Sequence, residues 1–205
     1  MALKTHASPI GTLAFGNLIT PEPDLSERLV WQGSLRIANS DIGPLLEAID
    51  EAIQEKCKRD PSFPSDASVL AMPFKPAEDK DQDNPNGPRI KSDTHTLFKF
   101  SRKLEYKDKA GNVQQRSAPT LYDGAGTVVN RSVKDVGWGS EGRFYFKVIP
   151  YEFRKKHGIS LALEGFQIKE LRTQDEIKAA PIEGGWIAPP SDEVDMSEMA
   201  GALAD

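Results

Sequence analysis

Arg143, Tyr145, Lys147 and Tyr151 share one face of an alternating run whose other face is Phe144, Phe146 and Val148. Period-two alternation of this length reads as a half-buried strand. Cations set between phenol rings can neutralise phosphates while the rings stack on unpaired bases, which is the chemistry of single-strand nucleic-acid binding. An amphipathic strand without a ligand accounts for the pattern equally well at this point. A second run, Thr94–Tyr106, puts Phe98, Phe100 and Leu104 on one face and Lys99, Ser101 and Lys103 on the other, with Arg102 out of step. Arg36 is on the free face of a third run, Leu29–Ile37, where it meets either a phosphate or water. Trp138 lies between two glycines in VGWGSEG, a position that suits stacking on a base or pinning the loop to the body.

Other chemistries find little to work with. His6, His95 and His157 have no ligand spacing, and Cys57 is the sole cysteine, so neither a cysteine-based zinc site nor an internal disulfide is available. There is no phosphate-binding GxxxxGK[ST], and DGAG at 123–126 is a lone turn signal. The densest acids, at 78–83 and near the C-terminus, fall in segments that read as too mobile to hold a metal at fixed geometry. The expectation is a non-catalytic protein with no cofactor and no metal.

The net charge of -5 is unevenly spread. Residues 183–205 carry Glu183, Asp192, Glu193, Asp195, Glu198 and Asp205 and no Lys or Arg, which leaves 26 basic against 25 acidic residues elsewhere. Eight Lys or Arg face three Asp or Glu over 89–116, and seven face three over 131–156. Basic clusters beside an acidic tail point toward a nucleic-acid partner. No apolar run approaches the ~20 residues of a membrane span, and MALKTHASPIG lacks a signal-peptide core, so the chain is expected to be soluble and intracellular, with no membrane partner.

The elements that must position these groups are mostly strands. Gly and Pro total 31, favouring strands joined by turns. Residues 10–20 read as a first strand closed by Pro21 and Pro23, and Leu29–Ile37 as a second with Leu29, Trp31, Leu35 and Ile37 inward. A helix of about 41–59 starts at Ser40 or Asp41, tolerates Pro44 in its first turn, and buries Leu45, Leu46, Ile49, Ile53 and Cys57. Residues of about 61–88, rich in proline, read as a mobile surface loop. KDKAGN turns the chain back into a hairpin, and Gly165 marks a β-bulge in the last strand. The expected organisation is a domain over 1–182 and a flexible acidic tail over 183–205 that is too poor in apolar residues to fold alone.

VIPY at 148–151 followed by GISLALEGFQIKEL, with LFKF at 97–100, the early IGT, the helix after the second strand and the acidic C-terminus, resembles the single-stranded-DNA-binding proteins of short-tailed lytic bacteriophages. The resemblance covers most of the chain. It implies a mainly β fold, the five-stranded, Greek-key-like oligonucleotide/oligosaccharide-binding (OB) barrel, with one added helix. It implies that Tyr151 is the DNA-contacting tyrosine and that Lys99, Arg102, Lys103, Arg143 and Lys147 line the groove. It further implies roles in DNA replication, recombination and repair in the cytoplasm of an infected bacterium, with the tail competing for the groove and recruiting the phage polymerase and helicase-primase. Homodimer formation is left open, because this chain ends MAGALAD where the best-known tails of the family end in an aromatic residue. A protein-binding adaptor acting through Asp192–Glu198 is the rival reading; it explains the tail but not the Arg143/Tyr145/Lys147/Tyr151 face.

Overall fold

Long strands with one apolar phase can hide it by closing on themselves, and this chain does so. The computed structural model describes residues 3–24, 26–80, 87–108, 110–130 and 132–173. The acidic tail, with Asp192, Glu193, Asp195, Glu198 and Asp205, lies outside the described residues. In chain order the elements are β1 (His6–Ala7), β2 (Gly11–Pro23), β3 (Leu29–Ala38), α1 (Gly43–Arg59), β4 (Phe74–Asp79), β5 (Ile90–Lys103), β6 (Glu105–Lys107), β7 (Val113–Gln115), β8 (Thr120–Tyr122), β9 (Glu141–Phe153) and β10 (Lys156–Glu170). Five of them form a ring in the order β2-β3-β5-β10-β9, closed where Gly11 and Thr12 of β2 pair with Gly142 and Glu141 of β9. Every contact around the ring is antiparallel except β5 against β10. β1, β4 and β8 add short pairings to β9, β5 and β10.

The interior is aromatic. Phe98, Phe100, Phe144, Phe146 and Phe166 are fully buried, with the Phe100 and Phe144 ring centroids 4.7 Å apart and Phe144 and Phe166 4.8 Å apart. At Gly33 of β3 a β-carbon would lie 2.6 Å from the tip of the Phe144 ring, so only glycine fits there. Trp31 is 4% exposed, and its indole N–H donates to the Ile19 carbonyl at 3.1 Å, in keeping with a core position. α1 packs Leu45, Ala48, Ile49 and Ile53 onto the body, beside β9.

Several expectations shift in detail. The helix starts at Gly43, not Ser40 or Asp41, with Pro44 in its first turn and no side-chain cap. Leu46 is exposed, outside the buried stripe, and so is Leu29 at the open end of β3. β2 runs on through Pro21 and Pro23. Between the Asn17–Gln32 and Glu22–Val30 pairs its register slips, and Pro21 falls inside that irregularity, where no ladder donor is needed. The bulge expected at Gly165 is one residue earlier: Leu163 pairs with Phe146 and Gly165 with Tyr145, leaving Glu164 as the extra residue. The stretch read as a surface loop over 61–88 buries Phe63, Leu70 and Ala77 and supplies β4, which pairs with β5; residues 81–86 lie outside the described residues.

Candidate nucleic-acid interface

The outward phase of β2, β3, β5 and β4 is read directly from the registers. Phe15, Ser34 and Lys99 stand in one row across β2, β3 and β5. Thr12, Arg36, Leu97 and Lys75 make the next row, from β2 across to β4. Phe15 faces outward only because Ala14 is a bulge residue: Leu13 pairs with Leu35 toward the core, and the next pair is Phe15 with Ser34. The ring is 52% exposed.

Trp138 rises beside this surface, 62% exposed. Its loop is fixed through backbone, not through the indole. Gly137 N–H donates to the Arg172 carbonyl at 2.7 Å and Gly139 N–H to the Leu13 carbonyl at 2.7 Å. The buried Ser140 hydroxyl donates to the Gly137 and Arg172 carbonyls and accepts from Arg172 N–H. A β-carbon on Gly137 would sit 2.6 Å from the Arg172 carbonyl, and Gly139 holds a φ of +85°, so both glycines flanking the tryptophan are demanded by this clasp. The loop is pinned and the ring is left free to stack.

Phe15, Arg36, Lys75, Arg89, Leu97 and Trp138 line one groove of about 460 Å³. Its cations are not bare. Arg36 pairs with Asp79 at 2.6 Å, and Lys75 with Glu78 at 2.8 Å. The Asp79 carboxyl is held below its usual range by the Ser92 hydroxyl and then by Arg36, and Glu78 is lowered by Lys75. Such half-open or open pairs are weak in water, so a phosphate can replace the carboxylate at small cost.

Three of the expected contact residues, Arg36, Lys99 and Trp138, therefore meet on this face. Of the other six, Lys103 shares the outward phase of Lys99 four residues further along β5, and the remaining five do not join them. β10 lies between β5, which carries Lys99, and β9, which carries Tyr151. Arg102 and Lys147 converge on Glu164, at 3.2 and 3.3 Å. Arg102 also donates to the carbonyls of Ser117 and Leu163. Tyr145 is half-buried, its hydroxyl donating to Gln167 at 3.0 Å and its ring edge-on to Tyr122. Arg143 lines a small hollow with Ile10, Gly124 and Lys169. Lys103 lies at the foot of the β6–β7 hairpin, in a cleft with Arg28, Tyr106 and Arg116. Tyr151 is exposed near the far end of β9, its hydroxyl against Gly158. Phe15, Lys75 and Arg89 escaped the sequence reading: a bulge hides the phase of the first, and the other two sit in or beside the misread 61–88 stretch. Among the described residues no three His, Cys, Asp or Glu gather as a metal site, and no helix is long and apolar enough to cross a membrane.

A five-stranded ring with this strand order and one added helix is an OB barrel, the class in which the face of the second and third strands binds oligonucleotides or oligosaccharides. Here those strands are β3 and β5. Among solved structures, the fold is shared with gp2.5, a single-stranded DNA binding protein encoded by bacteriophage T7, at a TM-score of 0.60 and 20% identity over 89% of this chain and 100% of that one. It is shared also with the single-stranded DNA-binding protein of bacteriophage Enc34 in complex with ssDNA, at 0.55 and 13% identity over 87% and 89%. The C-terminal truncation of the Enc34 protein matches at 0.54 and 13%, over 87% and 88%. No protein-family profile and no curated protein sequence matches this chain.

Proposed function

We propose that this chain is a non-catalytic, phage-type single-stranded DNA-binding protein that captures DNA without regard to sequence on the outer face of β3 and β5. The observation that carries the reading is the groove in which two exposed rings, Phe15 and Trp138, flank Arg36, Lys75 and Arg89, with Lys99 on the same face. Rings stack on bases whatever their identity, and cations track the phosphates, so affinity comes without sequence preference. Duplex DNA hides its base faces, and selectivity for single strands follows from the stacking. The T7 and Enc34 proteins are single-stranded DNA binders by name, and the shared barrel supports the same ligand here. On this reading the acidic residues Asp192, Glu193, Asp195, Glu198 and Asp205 compete with DNA for the cations and dock replication partners, the phage polymerase and helicase-primase, within an infected bacterium.

The test is Trp138→Ala titrated with a poly-dT oligonucleotide. An exposed ring can be removed without unfolding the barrel, and loss of one stacked base costs about 1–3 kcal/mol. Wild-type tryptophan fluorescence should quench on binding and the variant should bind several-fold more weakly. Equal affinity of the two proteins would remove Trp138 from the interface, and absence of any binding at low salt would end the reading.

A further inference from the structure

β9 and β10 do not stop where the barrel does. Along β9 the alternation of buried and half-buried residues persists to Val148; from Tyr151 to Phe153 both phases are exposed. The ribbon is last supported where Ala71 bridges Gly158, through Ala71 N–H to the His157 carbonyl and Ile159 N–H to the Ala71 carbonyl, and where the His157 ring meets Phe63 edge-on, 5.2 Å between centroids. Beyond that point two strands project together, and Phe153 pairs with Lys156 across a two-residue turn.

That turn is Arg154-Lys155, with φ of 49° and 65°. Both central residues occupy the left-handed region, as a tight twisted hairpin requires, yet neither is the glycine or asparagine that adopts it with least strain. Retaining two long cationic side chains at a strained tip is costly, and such strain tends to be kept at functional points. The tip bears Phe153, 62% exposed, with the Arg154 guanidinium 5.2 Å from its ring centroid. Over 152–157 three cations, Arg154, Lys155 and Lys156, face one acid, Glu152.

A convex aromatic point ringed by cations is no groove for a strand to lie in. Its shape matches apolar side chains that enter between base pairs and unstack them while neighbouring cations hold the phosphates. We propose that the β9–β10 tip is a wedge for the junction between duplex and single strand: Phe153 replaces one base in the stack at the duplex end, and Arg154, Lys155 and Lys156 hold the flanking phosphates. The opened strand then passes to the β3–β5 face, so this inference rests on the single-strand reading above. It adds an active opening step to passive capture.

The experiment uses the full chain and two DNA probes, a poly-dT oligonucleotide and a forked duplex with a dT arm. Wild type should open the fork faster than its affinity for dT alone accounts for. Phe153→Ala should keep its thermal stability and bind dT within about twofold of wild type, yet open the fork at least about tenfold more slowly. Phe153→Trp should restore opening. A wild type that binds dT but opens forks only as passive capture predicts overturns the wedge and leaves the single-strand reading standing. So does a Phe153→Ala variant that opens forks normally, the result expected of a tip built for a protein partner. Proportional loss of dT affinity and opening in Phe153→Ala would make the ring an ordinary stacking platform and also overturn the wedge. Failure of wild type to bind dT at all overturns both readings at once.

Discussion

Arg102 illustrates how a charge that looks available in sequence can already be engaged in the fold. Its register with Trp31 gives it the inward phase of Phe98 and Phe100, and its side chain, 16% exposed, ends among the Ser117 and Leu163 carbonyls and the Glu164 carboxylate. The sequence sign of this was visible: Arg102 breaks the alternation of Lys99, Ser101 and Lys103. What could not be seen was Glu164, brought to it by a bulge in a strand 62 residues away. Phe15 is the converse, a ring that period-two counting assigns to the core and that a single bulge residue, Ala14, turns outward. Arg102→Ala should therefore act on stability. Leaving two carbonyls and a partly buried carboxylate short of a donor costs about 2 kcal/mol, a fall in Tm of roughly 5 °C for a chain of this size. Oligonucleotide affinity under folding conditions should drop less than for Lys99→Ala, as calorimetric melting and a dT titration of both variants would show. A variant that melts like wild type but loses DNA more severely than Lys99→Ala returns Arg102 to the interface.

Strands and helix were legible where one phase is apolar and continuous, as in β3, β5, β9, β10 and α1. β4, FKPAED, was not: a proline and two acids disguise a strand whose pairing with β5 is bought by tertiary context. The tight turns share a device that the sequence shows only in part. Asp24, Asp108 and Asp123 each accept, on one carboxylate oxygen, the N–H groups two and four residues ahead. DGAG reads as a turn in sequence, and in the structure the Asp123 carboxylate holds it. These carboxylates tie the turns to pH. The Arg28 side chain, with the turn N–H groups, lowers the Asp24 carboxyl to about 2, and at the end of α1 Lys56 and Ser62 lower Asp60 likewise to about 2. A folded-state pKa below the unfolded value adds stability that is complete above about pH 4 and is lost as pH falls toward 2. The urea midpoint of wild type should decline over that window, and the Asp24→Asn, Asp60→Asn double variant should decline less steeply. Parallel declines would show that other carboxylates carry the acid sensitivity.

Around the whole barrel the cations divide between two faces separated by β10. Arg36, Lys75, Arg89 and Lys99 belong to the β3–β5 side, with Lys103 further along β5, and Arg143 and Lys147 belong to β9. A strand that engages only Arg36, Lys75, Arg89 and Lys99 neutralises about four phosphates, and each adds roughly -0.7 to the slope of log affinity against log salt. A short oligonucleotide should thus give a slope no steeper than about -3, and a steeper one would mean that the strand also reaches Lys103 or wraps onto β9. The acidic tail bears on the same measurement, since it was the charge map of the sequence that first separated a near-neutral body from a polyanion over 183–205. If, as proposed, that polyanion competes for the groove, it does so at an effective concentration set by its tether, and salt screens competitor and DNA alike. Deleting residues 186–205 should tighten oligonucleotide binding most at low salt, with the two proteins converging as salt rises. The deletion also removes Trp186, leaving buried Trp31 and exposed Trp138, so the remaining quench reports chiefly on the groove. If truncated and full-length proteins bind with equal affinity at every salt concentration, the tail has no part in the competition.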